Sequence, residues 1–246
     1  MTFVALNENM QASPGLSKLM DPTDPEDVKK HAEIAKQRKE LSARWRTMQD
    51  AVDQLPHVSV NTLKTYNYRR SGEVVIPDTL IEVQNSFLPK HLSRNNTNFG
   101  GEVLTWMDKI ALCCARYFTK NQNMVTVSMN RIFFKLPITM ATMHARVSSS
   151  RRYHLEVEAE VFVGRIGSQE RRRSHTGYFT VANLDRSNRI KQISTGLKVD
   201  ENDQESMRTL LKAQHRWLFN DQETKLLTLE PLSLSTPNAS SSQIMF

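Results

Sequence analysis

A single carboxylate within an apolar helix is the first feature of this sequence that suggests chemistry. Asp108 lies in a run from Val103 to Phe118 whose apolar residues recur at helical spacing. Gly100 and Gly101 stand just before this run, where the absence of a Cβ atom lets another group approach the backbone closely. The first N–H groups of a helix have no acceptor within it, so they can bind a ligand oxygen. These residues predict a site that holds and polarises a carbonyl group.

The helix that carries Asp108 is expected to be buried nearly all round. Trp106, Cys113 and Tyr117 occupy much of the side opposite to its main apolar face. An unpaired carboxylate in such a place would cost several kcal/mol. Asp108 is therefore expected either to take part in chemistry or to be compensated, by pairing with Lys109 or a strand arginine or by facing solvent at a helix edge.

The stretch from Leu88 to Asp108 resembles the signature of the hot-dog-fold acyl-CoA thioesterases. In that signature a polar turn and an aromatic residue precede a pair of glycines and an apolar helix, which often contains a tryptophan and an acid. The resemblance is carried by Phe99-Gly100-Gly101 and by Leu104-Thr105-Trp106-Met107-Asp108. It implies an α+β hot-dog fold, in which an antiparallel sheet wraps around one long apolar helix.

The same resemblance implies an acyl-CoA hydrolase that releases free fatty acid and coenzyme A. The substrate is the coenzyme A thioester, and neither a further cofactor nor a metal is expected. The expected catalytic residues are Asp108, Gly100, Gly101, Thr97, Asn98 and Ser93. Many relatives have asparagine or aspartate at the position of Thr97, where some active relatives also have threonine, and asparagine is expected at the position of Ser93. A homodimer or higher homo-oligomer is implied, with each site built across the interface and Asp108 supplied by the partner subunit.

The segments around the helix predict an antiparallel sheet independently of the resemblance. Apolar and polar residues alternate from Tyr153 to Val163, which gives one buried face and one wet face. The outward face bearing Glu156, Glu158 and Glu160 is expected to meet either solvent or another dimer. Strands are predicted over 79–87, 124–134, 142–150, 153–163 and 174–182. Short turns join the last four, as an antiparallel arrangement requires.

The chain is longer than this core, so we expect extensions at both ends. A polar helix over 26–52 is predicted to begin at Asp24 and Pro25, and a second amphipathic helix is predicted over 200–218. The Ser-rich and Pro-rich stretch 233–242 is expected to be mobile. The predicted organisation is an N-terminal extension over 1–58, a hot-dog domain over 59–195 and a C-terminal helix and tail over 196–246.

Positive charge is concentrated in the sheet region. The 246-residue chain has a net charge of +7, and the segment 131–191 accounts for all of it, with 12 Lys and Arg against 5 Asp and Glu. Two clusters precede predicted strands: Arg151-Arg152 and Arg171-Arg172-Arg173. We expect both to lie at one rim of the sheet, where arginine could bind the phosphates of coenzyme A through paired hydrogen bonds, or else to be solvated turns.

Two other functions remain open from the sequence. The basic turns and long tails would also suit an inactive hot-dog subunit of a large ribonucleoprotein, such as a mitochondrial ribosome-associated protein, that binds RNA phosphates. A hot-dog hydratase would need a histidine near the motif, and His91 is the candidate, whereas His144, His154 and His175 are expected to be structural or surface residues. Cys113 and Cys114 are expected to fill the core.

The sequence contains few features that indicate the cellular compartment of the protein. No segment is apolar enough to span a membrane, and no secretory signal is recognisable. Adjacent cysteines on one helix favour a reducing compartment. We therefore expect the mitochondrial matrix or the cytoplasm.

Overall fold

The part of the chain that the structure describes contains three α-helices, two short 3-10 helices and seven strands. The structure is a computed structural model, and it describes residues 24–64, 70–86, 100–134, 140–164 and 171–226, together with residues 7, 13 and 17. The helices are α1 (Pro25–Gln54), α2 (Gly100–Thr119) and α3 (Gln204–Leu226). The strands are β1 (Gly72–Val74), β2 (Ile81–Ser86), β3 (Met124–Phe134), β4 (Met140–Ser150), β5 (His154–Gly164), β6 (Arg171–Asn183) and β7 (Thr195–Leu197).

Five of the strands form one antiparallel sheet in the order β2-β4-β5-β6-β3. The chain therefore passes from one edge of the sheet, at β2, through α2 to the opposite edge, at β3. This matches the predicted arrangement of five strands around one helix. The short strands β1 and β7 pair in parallel as a separate two-stranded sheet, which the sequence did not suggest.

The core lies between α2 and the inner face of the sheet. Leu155, Val157 and Val161 alternate along β5 and are completely buried, as their spacing predicts. Two register shifts interrupt the pairing of β3 with β6, between Thr126 and Ser128 and between Asn130 and Phe133. Such bulges bend an edge strand and redirect its side chains.

The expectation that α2 is buried nearly all round is wrong. Its core face is closed, with Met107 and Cys114 fully buried, but Lys109, Cys113 and Tyr117 are exposed. A single sheet can cover only one side of a helix, so apolar residues on the far side stay accessible. Cys114 fills the core as predicted, and Cys113 does not.

The outer face of the sheet is covered by the first part of α3. Arg216 of α3 bonds Glu156 of β5, and Arg146 of β4 bonds both Glu158 of β5 and Glu205 of α3. Glu158 is 8% exposed. The prediction that these glutamates would face solvent or another dimer is therefore wrong, because arginines and the chain's own helix occupy that side.

Two compact units divide the chain. The larger one comprises residues 48–217 and contains the sheet, α2 and the first part of α3. The smaller one comprises residues 1–47 and 218–246, in which Arg38 of α1 pairs with Glu223 of α3 at 3.0 Å. Both predicted terminal helices exist, and α3 is longer than predicted. The predicted boundaries at 58/59 and 195/196 stay predictions, and the stretch 233–242 lies outside the described residues.

Candidate active site

The glycine pair forms the first two residues of α2. Gly100 and Gly101 begin the helix, and the Thr105 hydroxyl donates a hydrogen bond to the Gly101 carbonyl oxygen at 2.9 Å. The first N–H groups of α2 point out of the helix at its positive end, where they favour an oxygen that carries negative charge. The role that the sequence predicts for the pair stays a prediction.

Four of the residues singled out near the motif lie outside the part of the chain that the structure describes. They are Ser93, Thr97 and Asn98, predicted to orient water or substrate, and His91. Their roles stay predictions.

Asp108 is half-buried on the flank of α2 that faces β3. Its Oδ1 accepts a hydrogen bond from the Thr126 hydroxyl at 2.5 Å. Lys109 does not pair with it but lies over the Trp106 ring, 5.3 Å from the centroid. A hydroxyl that donates to one carboxylate oxygen fixes the orientation of the group.

Thr126 is a candidate functional residue that the sequence reasoning missed. It lies on β3, the edge strand, directly before the first register shift. Nothing in the local pattern distinguishes this threonine from others in the strands. Only the packing of the α2 flank against β3 brings the two side chains together.

Asp108 and the glycine pair of one chain are too far apart to act on one carbonyl. Seven residues separate Gly101 from Asp108, which is roughly 10 Å along a helix axis. A group that attacks a carbonyl must come within about 3–3.5 Å of it. Asp108 and the glycine pair of the same chain therefore cannot act on the same carbonyl group.

The two arginine clusters lie at opposite ends of the sheet, so the prediction of one shared rim is wrong. Arg151 and Arg152 follow the end of β4, beside the start of β5, whereas Arg171 stands opposite Gly164 at the end of β5. Consecutive hairpin turns alternate between the two ends of an antiparallel sheet. The eleven residues of β5 separate the clusters by roughly 35 Å.

Most of these arginines have partners within the chain. Arg171 bonds Glu82 at 3.2 Å, and Arg173 bonds Glu160 at 2.9 Å. At the other end, the Arg151 guanidinium lies 3.7 Å from the centroid of the Trp217 ring, and that of Arg152 lies 5.1 Å from the Tyr153 ring. Arg172 has no ion pair with any residue that the structure describes. Binding of coenzyme A by the five arginines stays a prediction.

The histidines on the strands are at least partly buried in the fold or in contact with a carboxylate. His144 Nε2 lies 3.1 Å from a Glu82 carboxylate oxygen. His175 is buried on β6, and this burial lowers its pKa to about 4, so its imidazole is neutral at physiological pH. His154 is half-buried, and burial together with nearby Arg151 lowers its pKa.

The described part of the chain has neither a metal-binding cluster nor a membrane-spanning helix. Among them, His, Cys, Asp and Glu side chains nowhere gather in groups of three that could hold a metal ion. The helices in this part of the chain are all too short or too polar to cross a membrane.

Part of the chain is similar in sequence to a known protein family, and its fold is similar to that of solved structures. Residues 95–168 match the sequence model of the Thioesterase superfamily. An acyl-CoA hydrolase from Staphylococcus aureus, solved with butyryl coenzyme A, coenzyme A and coenzyme A disulfide, superposes with a TM-score of 0.53 at 18% identity, covering 64% of this chain and 99% of the hydrolase.

Two further structures show the same architecture. An acyl-CoA hydrolase from Bacillus cereus gives a TM-score of 0.53 at 23% identity, covering 64% of this chain and 98% of that one. A hexameric acyl-CoA thioesterase in its apo form gives a TM-score of 0.56 at 19% identity, covering 65% and 99%. The sequence match over residues 95–168 and the shared architecture confirm the predicted resemblance and the predicted hot-dog fold.

Proposed function

We propose that the protein hydrolyses acyl-CoA thioesters to a free fatty acid and coenzyme A. The observation that carries the proposal is the Asp108 carboxylate, which Thr126 holds at 2.5 Å on the flank of α2 in a domain that matches the thioesterase superfamily. Thioester hydrolysis needs a carboxylate that faces the reacting carbonyl, and we assign this role to Asp108.

The chemistry assigns separate tasks to the two parts of α2. The N–H groups of Gly100 and Gly101, together with the positive end of the helix, stabilise the oxyanion that forms when the carbonyl is attacked. Asp108 either removes a proton from the attacking water or attacks the carbonyl itself to form an anhydride that water then opens. When Asp108 acts as the base, the C–S bond breaks and the proton taken from water passes to the leaving sulfur. When Asp108 attacks the carbonyl, coenzyme A leaves as a thiolate that takes a proton from solvent. Thr126 positions the carboxylate without touching substrate.

A second copy of the chain would complete the site. Because Asp108 lies roughly 10 Å from the glycine pair of its own helix, the pair that serves it must come from another subunit. β3 forms an edge of the sheet, and Val125, Val127 and Met129 on it are 43%, 53% and 43% exposed. An edge strand with exposed apolar residues is suited to pair with another strand. We therefore propose a homodimer or a higher homo-oligomer.

The Staphylococcus aureus hydrolase supports this assignment of residues. It was also solved with an asparagine, an aspartate or a threonine replaced by alanine. The asparagine and the aspartate are as far apart in sequence as Ser93 and Asp108 are here. The threonine follows the aspartate at nearly the spacing that separates Thr126 from Asp108. Ser93 would then orient water or substrate together with Thr97 and Asn98.

The nucleotide part of coenzyme A is assigned to Arg171, Arg172 and Arg173. This cluster lies at the end of the sheet where β2 ends and the chain continues towards α2. Arg172 is the member of the cluster whose guanidinium is not engaged by a described carboxylate, and two arginine N–H groups match a phosphate well. Arg151 and Arg152, at the opposite end, would have to act in another subunit's site.

Release of coenzyme A from acyl-CoA tests the proposal. Asp108→Asn is expected to lower kcat at least about hundredfold, since general base catalysis typically contributes that much. Glu102→Gln, which removes another acid from the first turns of the same helix, serves as the matched control and should change kcat little. Equal rates for wild type and Asp108→Asn would remove Asp108 from the mechanism.

The same assay separates the enzyme from the alternative predicted from the sequence. An inactive ribonucleoprotein subunit would release no coenzyme A from any acyl-CoA and would bind RNA with a steep dependence on salt. For the enzyme, Arg172→Gln should raise KM for acyl-CoA and leave hydrolysis of a truncated thioester without the nucleotide unchanged.

A further inference from the structure

Three segments meet at the end of the sheet where α2 ends. They are the loop from α2 to β3, the turn from β4 to β5, and the loop from β6 to β7. The Asn183 N–H donates to the Tyr153 carbonyl at 3.0 Å, and the Ile193 N–H donates to the Arg152 carbonyl at 2.8 Å. The Asn121 amide donates to the Leu184 carbonyl at 2.8 Å. These bonds join the segments into one continuous surface, which we call the basic end.

The basic end carries a strong excess of positive charge. In the segments 117–123, 150–154 and 183–193 the sequence has one acidic residue, Asp185. It has six basic residues: Lys120, Arg151, Arg152, Arg186, Arg189 and Lys191. Asp185 is itself engaged by Arg189, whose Nε donates to the carboxylate at 3.2 Å. The surface therefore presents a field that attracts polyanions.

Large apolar side chains stand exposed among these cations. Ile190 is 61% exposed, Tyr117 is 55% exposed and Trp217 is 39% exposed. Ile190 lies between Arg189 and Lys191, and the exposure of its aliphatic side chain to water is energetically unfavourable. This exposure favours a partner that has negative charge for the basic residues and an apolar region for Ile190.

The loop that presents Ile190 is a hairpin closed by hydrogen bonds. The Asp185 carboxylate accepts hydrogen bonds from the Ser187 and Arg189 N–H groups at 2.8 and 3.0 Å, and Leu184 bridges to Ile190. Asn188 adopts a φ of 58°, which asparagine tolerates better than most residues. Because the backbone is fixed, presenting Ile190 to a partner costs little conformational entropy.

We propose that the basic end docks on the surface of an anionic phospholipid bilayer. Lys and Arg beside a negatively charged leaflet are attracted by its surface potential, and aromatic residues favour the headgroup level. Ile190 then enters the boundary between headgroups and acyl chains. Such docking is peripheral and reversible, and it leaves the glycine pair at the opposite end of the twenty-residue helix α2, roughly 30 Å away.

The exposed rings favour lipid over a single-stranded nucleic acid. Nucleic-acid bases need open aromatic faces on which to stack. Here Arg151 covers one face of Trp217 at 3.7 Å, and Lys120 covers one face of Tyr117 at 3.8 Å. Ile190, the most exposed of the three, offers neither a stacking face nor a hydrogen bond. Ile190 can be buried at the edge of the acyl-chain region of a bilayer, whereas a sugar-phosphate backbone offers it no apolar contact.

Sedimentation of the full-length protein with phosphatidylcholine vesicles, prepared with and without phosphatidylserine, tests the proposal. The protein should bind the anionic vesicles and not the neutral ones. Each basic residue near such a surface typically strengthens binding about fivefold, so Arg186→Gln with Lys191→Gln should weaken it about thirtyfold. Ile190→Ser should weaken it several-fold and make the remainder easier to remove with salt.

A double variant with the same charge change serves as the control. Arg171→Gln with Arg172→Gln removes two positive charges at the opposite end of the sheet and should leave vesicle binding nearly unchanged. The proposal is overturned if wild type ignores anionic vesicles, if both double variants lose binding equally, or if Ile190→Ser binds as well as wild type. It is also overturned if single-stranded RNA, and not the vesicles, is bound through Arg186 and Lys191.

Discussion

Arg216 of α3 and Glu156 of β5 form an ion pair from which water is largely excluded. The Arg216 Nη2 and Nε donate to Glu156 Oε1 at 2.7 and 3.0 Å, and Nη1 donates to Gln49 Oε1 at 3.0 Å. The side chain of Arg216 is 2% exposed, and its guanidinium lies 3.8 Å from the centroid of the Tyr178 ring. The first part of α3 is thus held to the outer face of the sheet by charge as well as by apolar packing.

Arg216→Met should destabilise the protein by about 3–5 kcal/mol, because it leaves the Glu156 carboxylate buried without its cation. The free energy of unfolding in urea measures this loss. Replacing both partners, with Glu156→Gln added, should recover much of it, since no uncompensated charge then remains.

An exposed ion pair in the same helix provides the comparison. Lys225 bonds Asp221 at 2.8 Å, and both side chains are more than half exposed. Lys225→Gln should change the free energy of unfolding by less than about 1 kcal/mol. A similar loss in both variants would show that Arg216 acts as a surface residue.

Acid should destabilise the protein through His175. Burial lowers the folded-state pKa of His175 to about 4 from an ordinary value of 6.5. The unfolded chain therefore binds a proton that the folded chain rejects, and stability present above pH 6.5 is lost as the pH falls towards 4. His175→Gln should flatten this part of a plot of unfolding free energy against pH, and an unchanged slope would contradict the assignment.

Glu158 should affect the stability of the protein at lower pH than His175 does. Burial by itself would raise the pKa of Glu158, but Arg146 and Arg216 beside it hold that pKa below the ordinary 4.5. Its contribution to stability is therefore present above about pH 4.5 and is lost as the pH falls through the lowered pKa. The two windows let the slopes of the two groups be measured separately.

A methyl group at Gly177 should be costly because of one neighbour. A Cβ there would overlap the Ile132 Cδ1 methyl and lie 3.0 Å from Met107 Cε. Gly177→Ala is expected to lower the free energy of unfolding by about 1–3 kcal/mol, the usual cost of overpacking. In an Ile132→Val background, which removes that methyl, the same change should cost clearly less. Equal costs in both backgrounds would show that Ile132 is not the obstacle.

Thr126→Val should reduce turnover while leaving substrate binding largely intact. Without the hydroxyl, Asp108 loses the contact that orients its carboxylate, so kcat should fall roughly ten- to hundredfold with little change in KM. Thr126→Ser keeps the hydroxyl and should restore most of the rate. A serine variant as slow as the valine variant would assign Thr126 a packing role only.

The fold could be predicted because its information is local. The helical spacing of apolar residues on α2 and the alternation along β5 each require only a short window of sequence, and the five strands of the sheet follow from such windows. The short strands β1 and β7 were not predicted because three residues are too few to show an alternation of apolar and polar side chains. Their pairing also depends on two segments far apart in the chain.

The surroundings of the candidate site could be predicted only in part. Asp108 and the glycine pair were found because their own segment is distinctive, whereas Thr126 acts through packing across the α2–β3 contact. The glutamates of β5 were expected to meet solvent or another dimer because Arg146 and Arg216, their partners, lie on other elements. The two arginine clusters were placed together because a sequence does not show which end of a sheet a turn occupies.

The separation of Gly101 and Asp108 along one helix has a genetic consequence. In the proposed dimer each site takes its carboxylate from one subunit and its oxyanion N–H groups from the other. An Asp108→Asn subunit and a Gly101→Val subunit should each have little activity when paired with themselves. Paired with one another, they leave one site with both lesions and the other with none. Co-expression of the two alleles should therefore restore measurable activity that neither allele produces alone, a case of intragenic complementation.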